Sequence, residues 1–126
     1  MNQSKNRPVF LNLFLIRFPV TAILSILHRV TGVLMVLTLP VLFYLFSLSL
    51  SGEAGWDTTI SILTYPLSKM VLAVFLWGLI HHLFAGIRFL FIDIEIGIEK
   101  ATARVTAWFV NIVVVFVTLM VVWRLW

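Results

Sequence analysis

The sequence predicts an all-α membrane protein with three transmembrane helices, on three observations. Of its 126 residues, 62% are hydrophobic and only 11% are charged, less than half the usual charged share of a soluble domain, roughly 25%. A water-soluble fold of this size has too little interior to hide so much apolar surface. The charges also fall in bursts. No charged residue occurs in the 23 positions between Arg29 and Glu53, the 18 between Lys69 and Arg88, or the 19 between Arg104 and Arg124.

A helix needs about 20 apolar residues to cross the hydrocarbon core, and a lone helix bonds its own backbone where a lone strand cannot. The expected spans are 22–49, 67–92 and 104–124, forming one anchor domain over 1–126. Pro19 suits the first turn of the first span. Pro40 lies inside that span and is expected to kink it. Gly97 is the expected stop after the second span. The first loop, 51–66, carries Gly52, Glu53, Trp56, Asp57 and Pro66 and has room for one short helix. An apolar segment, Val9 to Ile16, precedes the first span without a small-x-small cleavage site, so it is expected to stay attached along the inner surface.

Lys5, Arg7, Arg17, Arg88, Lys100 and Arg104 lie on one side, against Lys69 and Arg124 on the other. The positive-inside rule then puts the N-terminus in the cytoplasm and the C-terminus outside. Trp56, Tyr65, Trp123 and Trp126 fall near the outer interface and Trp108 near the inner one. The absence of cysteine excludes thiolate catalysis, disulfides and cysteine-ligated clusters. Neither common nucleotide-binding glycine motif occurs. The net charge of +4 is too scattered for a nucleic-acid partner. The expected surroundings are membrane lipid.

Ionisable groups inside a span cost about 2.5–3.5 kcal/mol each at its centre and call for a reason. Ser25, His28 and Arg29 enter with the first span. His82 precedes the exit at Arg88 by six residues, roughly 9 Å. Both clusters therefore lie at similar depth in the inner leaflet. Ser25 and Arg29 share a stripe, with His28 beside it and Gly32 four residues beyond His28. Gly78, His82 and Gly86 follow at i, i+4 and i+8. That spacing leaves a flat slot beside the imidazole, the clearance a macrocycle such as haem requires. It equally makes a helix-packing seam. His81 is about 100° away around the helix, so both histidines cannot serve one iron from one side; it shares another face with Arg88. His28 also suits a hydrogen-bonded packing role. Arg29 and Arg88 can snorkel to head groups, which for Arg88 is the preferred reading.

The stretch Ser25-Ile26-Leu27-His28-Arg29-Val30-Thr31-Gly32 resembles the S-x-x-H-R-x-[ST]-G motif of the succinate dehydrogenase cytochrome b subunit. Arg7-Pro8 and Arg17-Phe18-Pro19 also fit. His82-Leu83-Phe84-Ala85-Gly86-Ile87-Arg88, ending at Asp93, is similar to that family's H-x-x-x-G-[IL]-R…D motif. Two motifs in order, on the first two of three spans, extend the resemblance over essentially the whole chain. The pattern is most similar to the bacterial ubiquinone-reducing enzymes.

The resemblance implies a bacterial inner-membrane subunit paired with a second three-helix anchor, the two holding one haem b. His82 would be one axial ligand to the haem iron, and the second anchor would supply the other. His28 and Arg29 would contact the propionates. Ser25 and Arg29 would line the ubiquinone pocket. A flavoprotein and an iron–sulfur subunit would dock on the cytoplasmic face and deliver electrons from succinate. The chain would thus be catalytic only within the complex. Several family members carry a second histidine where this chain has Phe89, so no propionate contact is carried over to that position. The roles are chemically apt. Imidazole is a haem ligand, guanidinium pairs with carboxylates, and a serine–arginine pair stabilises charge developing on a quinone oxygen. Asp93 stands at the cytoplasmic mouth, either as a solvated loop acid or as a proton relay. The alternatives are a quinol:fumarate reductase anchor, a small cytochrome in which His28 and His82 ligate one haem, and a haem-free structural or transport subunit.

Overall fold

A computed structural model describes residues 16–126. The expected surface segment from Val9 lies outside the described residues, apart from Ile16. Four helices follow in order: α1 (Val20–Ser49), α2 (Glu53–Thr64), α3 (Pro66–Asp93) and α4 (Lys100–Leu125). Three of them, α1, α3 and α4, are long and apolar enough to cross a membrane. The described residues contain no strand. The spans therefore match the expected ones to within four residues at each end.

The helix ends have local causes. Pro19 is extended and stands one residue ahead of α1, where its carbonyl accepts from the amides of Ala22 and Ile23. Pro40 lies inside α1 without interrupting it. The short loop helix is α2. Its approach to α1 depends on Gly55, because a Cβ there would collide with the Ser51 hydroxyl and the Leu48 carbonyl. Pro66 occupies the first turn of α3, where its missing N–H costs nothing.

The exit of α3 differs from the expectation. The helix stops four residues before Gly97, and its terminator is Glu95, in the left-handed region at φ 64°. The Ile96 amide donates to the Phe91 carbonyl at 2.9 Å, and the Glu95 amide to the Ile92 carbonyl at 2.9 Å. This is the Schellman pairing, built without glycine at its left-handed position. Gly97 also has positive φ, 78°, but lies further along the loop.

Helix α3 packs against both α1 and α4. The tight core is small: Leu24, Ala85, Ala107 and Val114 are fully buried, with Trp77, Ile80, Phe84 and Phe89 packed against it. Alanines let the helix axes approach, as is usual where lipid removes the hydrophobic drive between helices. Threonines within the spans bond back to their own helix, Thr118 to the Val114 carbonyl at 2.7 Å and Thr31 to the His28 carbonyl at 3.0 Å. Most large apolar side chains point outward, Phe43 at 71% exposure and Phe116 at 68% among them. Such a surface is stable only against lipid or the helices of another subunit.

Candidate functional site

The polar groups of α1 and α3 meet. The His28 and His82 rings stack with centroids 4.1 Å apart and planes 13° from parallel. The inference that both clusters lie at one depth is thus met by direct contact. Phe89 meets His28 edge-on, at 5.1 Å.

Hydrogen bonds fix the tautomer of His82. The Thr31 hydroxyl gives its proton to the His28 carbonyl at 3.0 Å. His82 Nδ1 lies 3.1 Å from that same carbonyl and 3.3 Å from Thr31 Oγ1. A carbonyl only accepts, and the threonine proton is already committed, so Nδ1 must carry the hydrogen and donate to both. The lone pair of the ring then sits on Nε2. That nitrogen makes no hydrogen bond to the described residues and is not sealed among them. A ring held at Nδ1–H by a backbone carbonyl, with Nε2 free, is the arrangement usual for metal-ligating histidines.

The glycines act differently from the expectation. Gly78 and Gly86 do not leave an open slot around His82. Gly78 faces the Thr31 methyl, 3.7 Å from where a Cβ would stand, and Gly86 faces His28 Nε2 at 3.4 Å. Both serve the α1–α3 seam. The glycine against His82 belongs to α1: a Cβ on Gly32 would stand 3.0 Å from His82 Cε1 and 3.4 Å from Nδ1. Clearance for the imidazole thus comes from Gly32 in the first motif. Thr31, given no role in the sequence reading, holds the ring. Its signal was present in the motif, a hydroxyl three residues after His28.

His81 faces the other way. It is 1% exposed, stacks obliquely on Trp77 at 5.5 Å, and has neither ring nitrogen hydrogen-bonded among the described residues. Asn111 of α4 is near it, but its amide donates to the Ala107 carbonyl at 3.0 Å. Buried within the α3–α4 packing, His81 offers no open coordination direction. Arg88 shares that face, and its expected snorkelling is overturned. It is 8% exposed, and its guanidinium crosses to α4, Nε donating to Thr106 Oγ1 at 3.0 Å and Nη2 to the Ala103 carbonyl at 2.9 Å. The pull of two acceptors on α4 outweighs the reach to head groups.

Ser25 is half-buried on α1, and Arg29, one turn on, is exposed. Asp93 is exposed at the end of α3. Among the described residues no group of three or more His, Asp or Glu side chains is placed to hold a metal ion. The candidate ligand is therefore a single imidazole, which suits a group that brings its own equatorial ligands. Intrachain ligation by both histidines conflicts with the stack. The two rings lie face to face 4.1 Å apart and 13° from parallel, so they would not close on one ion from opposite sides.

Residues 3–121 match the family described as the succinate dehydrogenase/fumarate reductase transmembrane subunit. The chain belongs to that family. It is 34% identical over 111 residues to a succinate dehydrogenase cytochrome b556 subunit of Coxiella burnetii, a match covering 87% of this chain and 89% of the relative. It is 31% identical over 114 residues to a protein of the same name from Rickettsia bellii, covering 90% and 89%. A Paracoccus denitrificans protein of that name is 29% identical over 99 residues, covering 79% and 76%. Succinate dehydrogenase/fumarate reductase transmembrane subunits are parts of oxidoreductase complexes, and this one is a multi-pass helical membrane protein.

Proposed function

We propose that this chain is the haem b-carrying anchor of a succinate:ubiquinone oxidoreductase, with His82 Nε2 as one axial ligand. The observation that carries the ligand assignment is the forced Nδ1–H tautomer. The resident groups fit haem on three counts: a free Nε2 on an anchored ring, the Gly32 clearance beside that ring, and a second histidine sealed away from competition. When bound, haem would supply a one-electron carrier, held on this chain by His82.

The chain's own residues do the following. The His28 carbonyl and Thr31 Oγ1 hold the Nδ1 proton of His82 and keep its basic nitrogen directed outward. His28 and Arg29 would contact the propionates, and the Arg29 charge would offset burying those carboxylates. Ser25 donates a hydrogen bond to a ubiquinone carbonyl, and Arg29 stabilises negative charge developing there during reduction. Arg29 exposed on α1, with Ser25 half-buried one turn before it, supports a pocket completed by the second anchor subunit, which would also contribute the other haem ligand. Flavoprotein and iron–sulfur subunits deliver electrons from succinate at the cytoplasmic face. The chain lies in the bacterial inner membrane with its N-terminus inside. A fumarate-reducing direction shares the family description, but the succinate dehydrogenase names of the relatives favour succinate oxidation.

The test is purification of the complex in mild detergent through this chain, with a reduced-minus-oxidised visible spectrum. The expected result is a flavoprotein, an iron–sulfur protein, a second anchor and one b-type haem. Isolation of a folded, partnerless, haem-free chain contradicts the proposal.

A further inference from the structure

Arg88 is not explained by the site just described. It faces away from His82 and lines a groove of about 460 Å³ between the end of α3 and the start of α4. That volume is within the roughly 300–1,000 Å³ of small-molecule sites. The walls are apolar, with Phe84, Ile87, Phe91 and Phe109 prominent, and the loop end is closed by Ile96 and Gly97. Among the described residues, Arg88 is the one charged residue in this lining. Of its five N–H donors, one on Nε and one on Nη2 are engaged, leaving three. Its two acceptors are neutral, so the described residues give it no counter-ion. A guanidinium more than nine-tenths buried without a counter-ion is costly, and a neighbouring anion relieves that cost. The α4 N-terminus borders the same groove through Thr102, adding the positive end of a helix dipole. Lys100 and Arg104 stand exposed on that first turn. Asp93, Glu95 and Glu99 occupy the nearby loop but not the groove wall.

We propose that this groove binds one anionic phospholipid, with its phosphodiester on Arg88 and the α4 N-terminus and an acyl chain along the phenylalanines. The charge pattern argues for lipid over a neighbouring helix. A single buried cation without a counter-ion, set among apolar walls, matches a ligand with one anionic head and a hydrocarbon tail. A helix would bring its own carboxylate at a specific register and bury a broader face. The proposal goes beyond the haem and quinone reading and does not depend on it.

The test uses the intact complex in nanodiscs of phosphatidylcholine, with or without phosphatidylglycerol. Retained lipid is measured by native mass spectrometry after detergent exchange, and the thermal midpoint of the complex is recorded. The wild type is expected to retain one phosphatidylglycerol per copy of this chain and to melt at a higher temperature when it is present. Arg88→Gln should lose both effects, and Arg88→Lys should keep part of the retention. Thr102→Trp, an exposed position, should fill the loop end and expel the lipid with the Arg88 charge intact, and it decides the matter if Arg88→Gln fails to assemble. Equal retention in the assembled variants, no preference for phosphatidylglycerol in the wild type, or a photocrosslink from position 102 to a helix of another subunit would overturn the proposal.

Discussion

Gly32→Ala tests the geometry around His82 most sharply. The added methyl would stand 3.0 Å from His82 Cε1 and 3.4 Å from Nδ1. Ordinary carbon–carbon contact begins near 3.5 Å, so the ring or the helix must give way by several tenths of an ångström. The ring is held by a 3.1 Å bond to the His28 carbonyl, and a shift of that size stretches it toward the edge of hydrogen-bonding range. Overpacking of this kind costs about 1–3 kcal/mol. Alanine in a helix recovers about 1 kcal/mol over glycine. A net loss of about 1.4 kcal/mol borne by the haem site would weaken haem binding about tenfold. Gly78→Ala is the control, since its methyl would meet only the Thr31 methyl at 3.7 Å. The assay is the haem-to-flavin ratio of the purified complex, with the low-spin electron paramagnetic resonance spectrum. Gly32→Ala should lower the ratio and shift the spectrum, while Gly78→Ala should change neither. If the two variants behave alike, Gly32 does not set the clearance.

Two further outcomes are expected. Thr31→Val keeps the volume but removes the second acceptor of His82 Nδ1–H; it should destabilise the complex by about 1 kcal/mol and shift the haem midpoint potential, read by redox titration. Glu95→Gly relieves a left-handed backbone conformation that costs an L-residue about 1–2 kcal/mol and removes a negative charge from a helix C-terminus; it should raise the thermal midpoint with the haem spectrum unchanged.

Much of the fold was legible because lipid imposes a simple rule. Spans must be long and largely uncharged, so the charge-free runs bounded by Arg29, Glu53, Lys69, Arg88, Arg104 and Arg124 locate them, although Arg29, Lys69, Arg88, Arg104 and Arg124 themselves stand within the helices. The similar depth of His28 and His82 was also legible, since rise per residue fixes depth from either end, but their stacking was not. Azimuth was not. Helix α3 is apolar nearly all round, so composition gives no face a preference, and neither the turning of Arg88 toward Thr106 nor the sealing of His81 beside Trp77 could be read from spacing. The glycine spacing was visible, but whether Gly78 and Gly86 admit a ligand or a neighbouring helix depends on where α1 lies. The Schellman end at Glu95 was not legible, because nothing in a glutamate announces positive φ, whereas Gly97 two residues on carries the usual stop signal. The short helix α2 was admitted by the length of its loop, and its close approach through Gly55 required coordinates.

The central claim is that His82, not His81 or His28, grips the haem iron through Nε2. The direct measurement is the low-spin haem signal, by visible and electron paramagnetic resonance spectroscopy, of assembled complexes carrying His82→Ala, His81→Phe or His28→Ala. The account predicts loss of the low-spin signature in His82→Ala alone, an unchanged signature in His81→Phe, and a displaced but surviving one in His28→Ala. An intact low-spin spectrum in the His82 variant, or its loss in the His81 variant, would contradict the account.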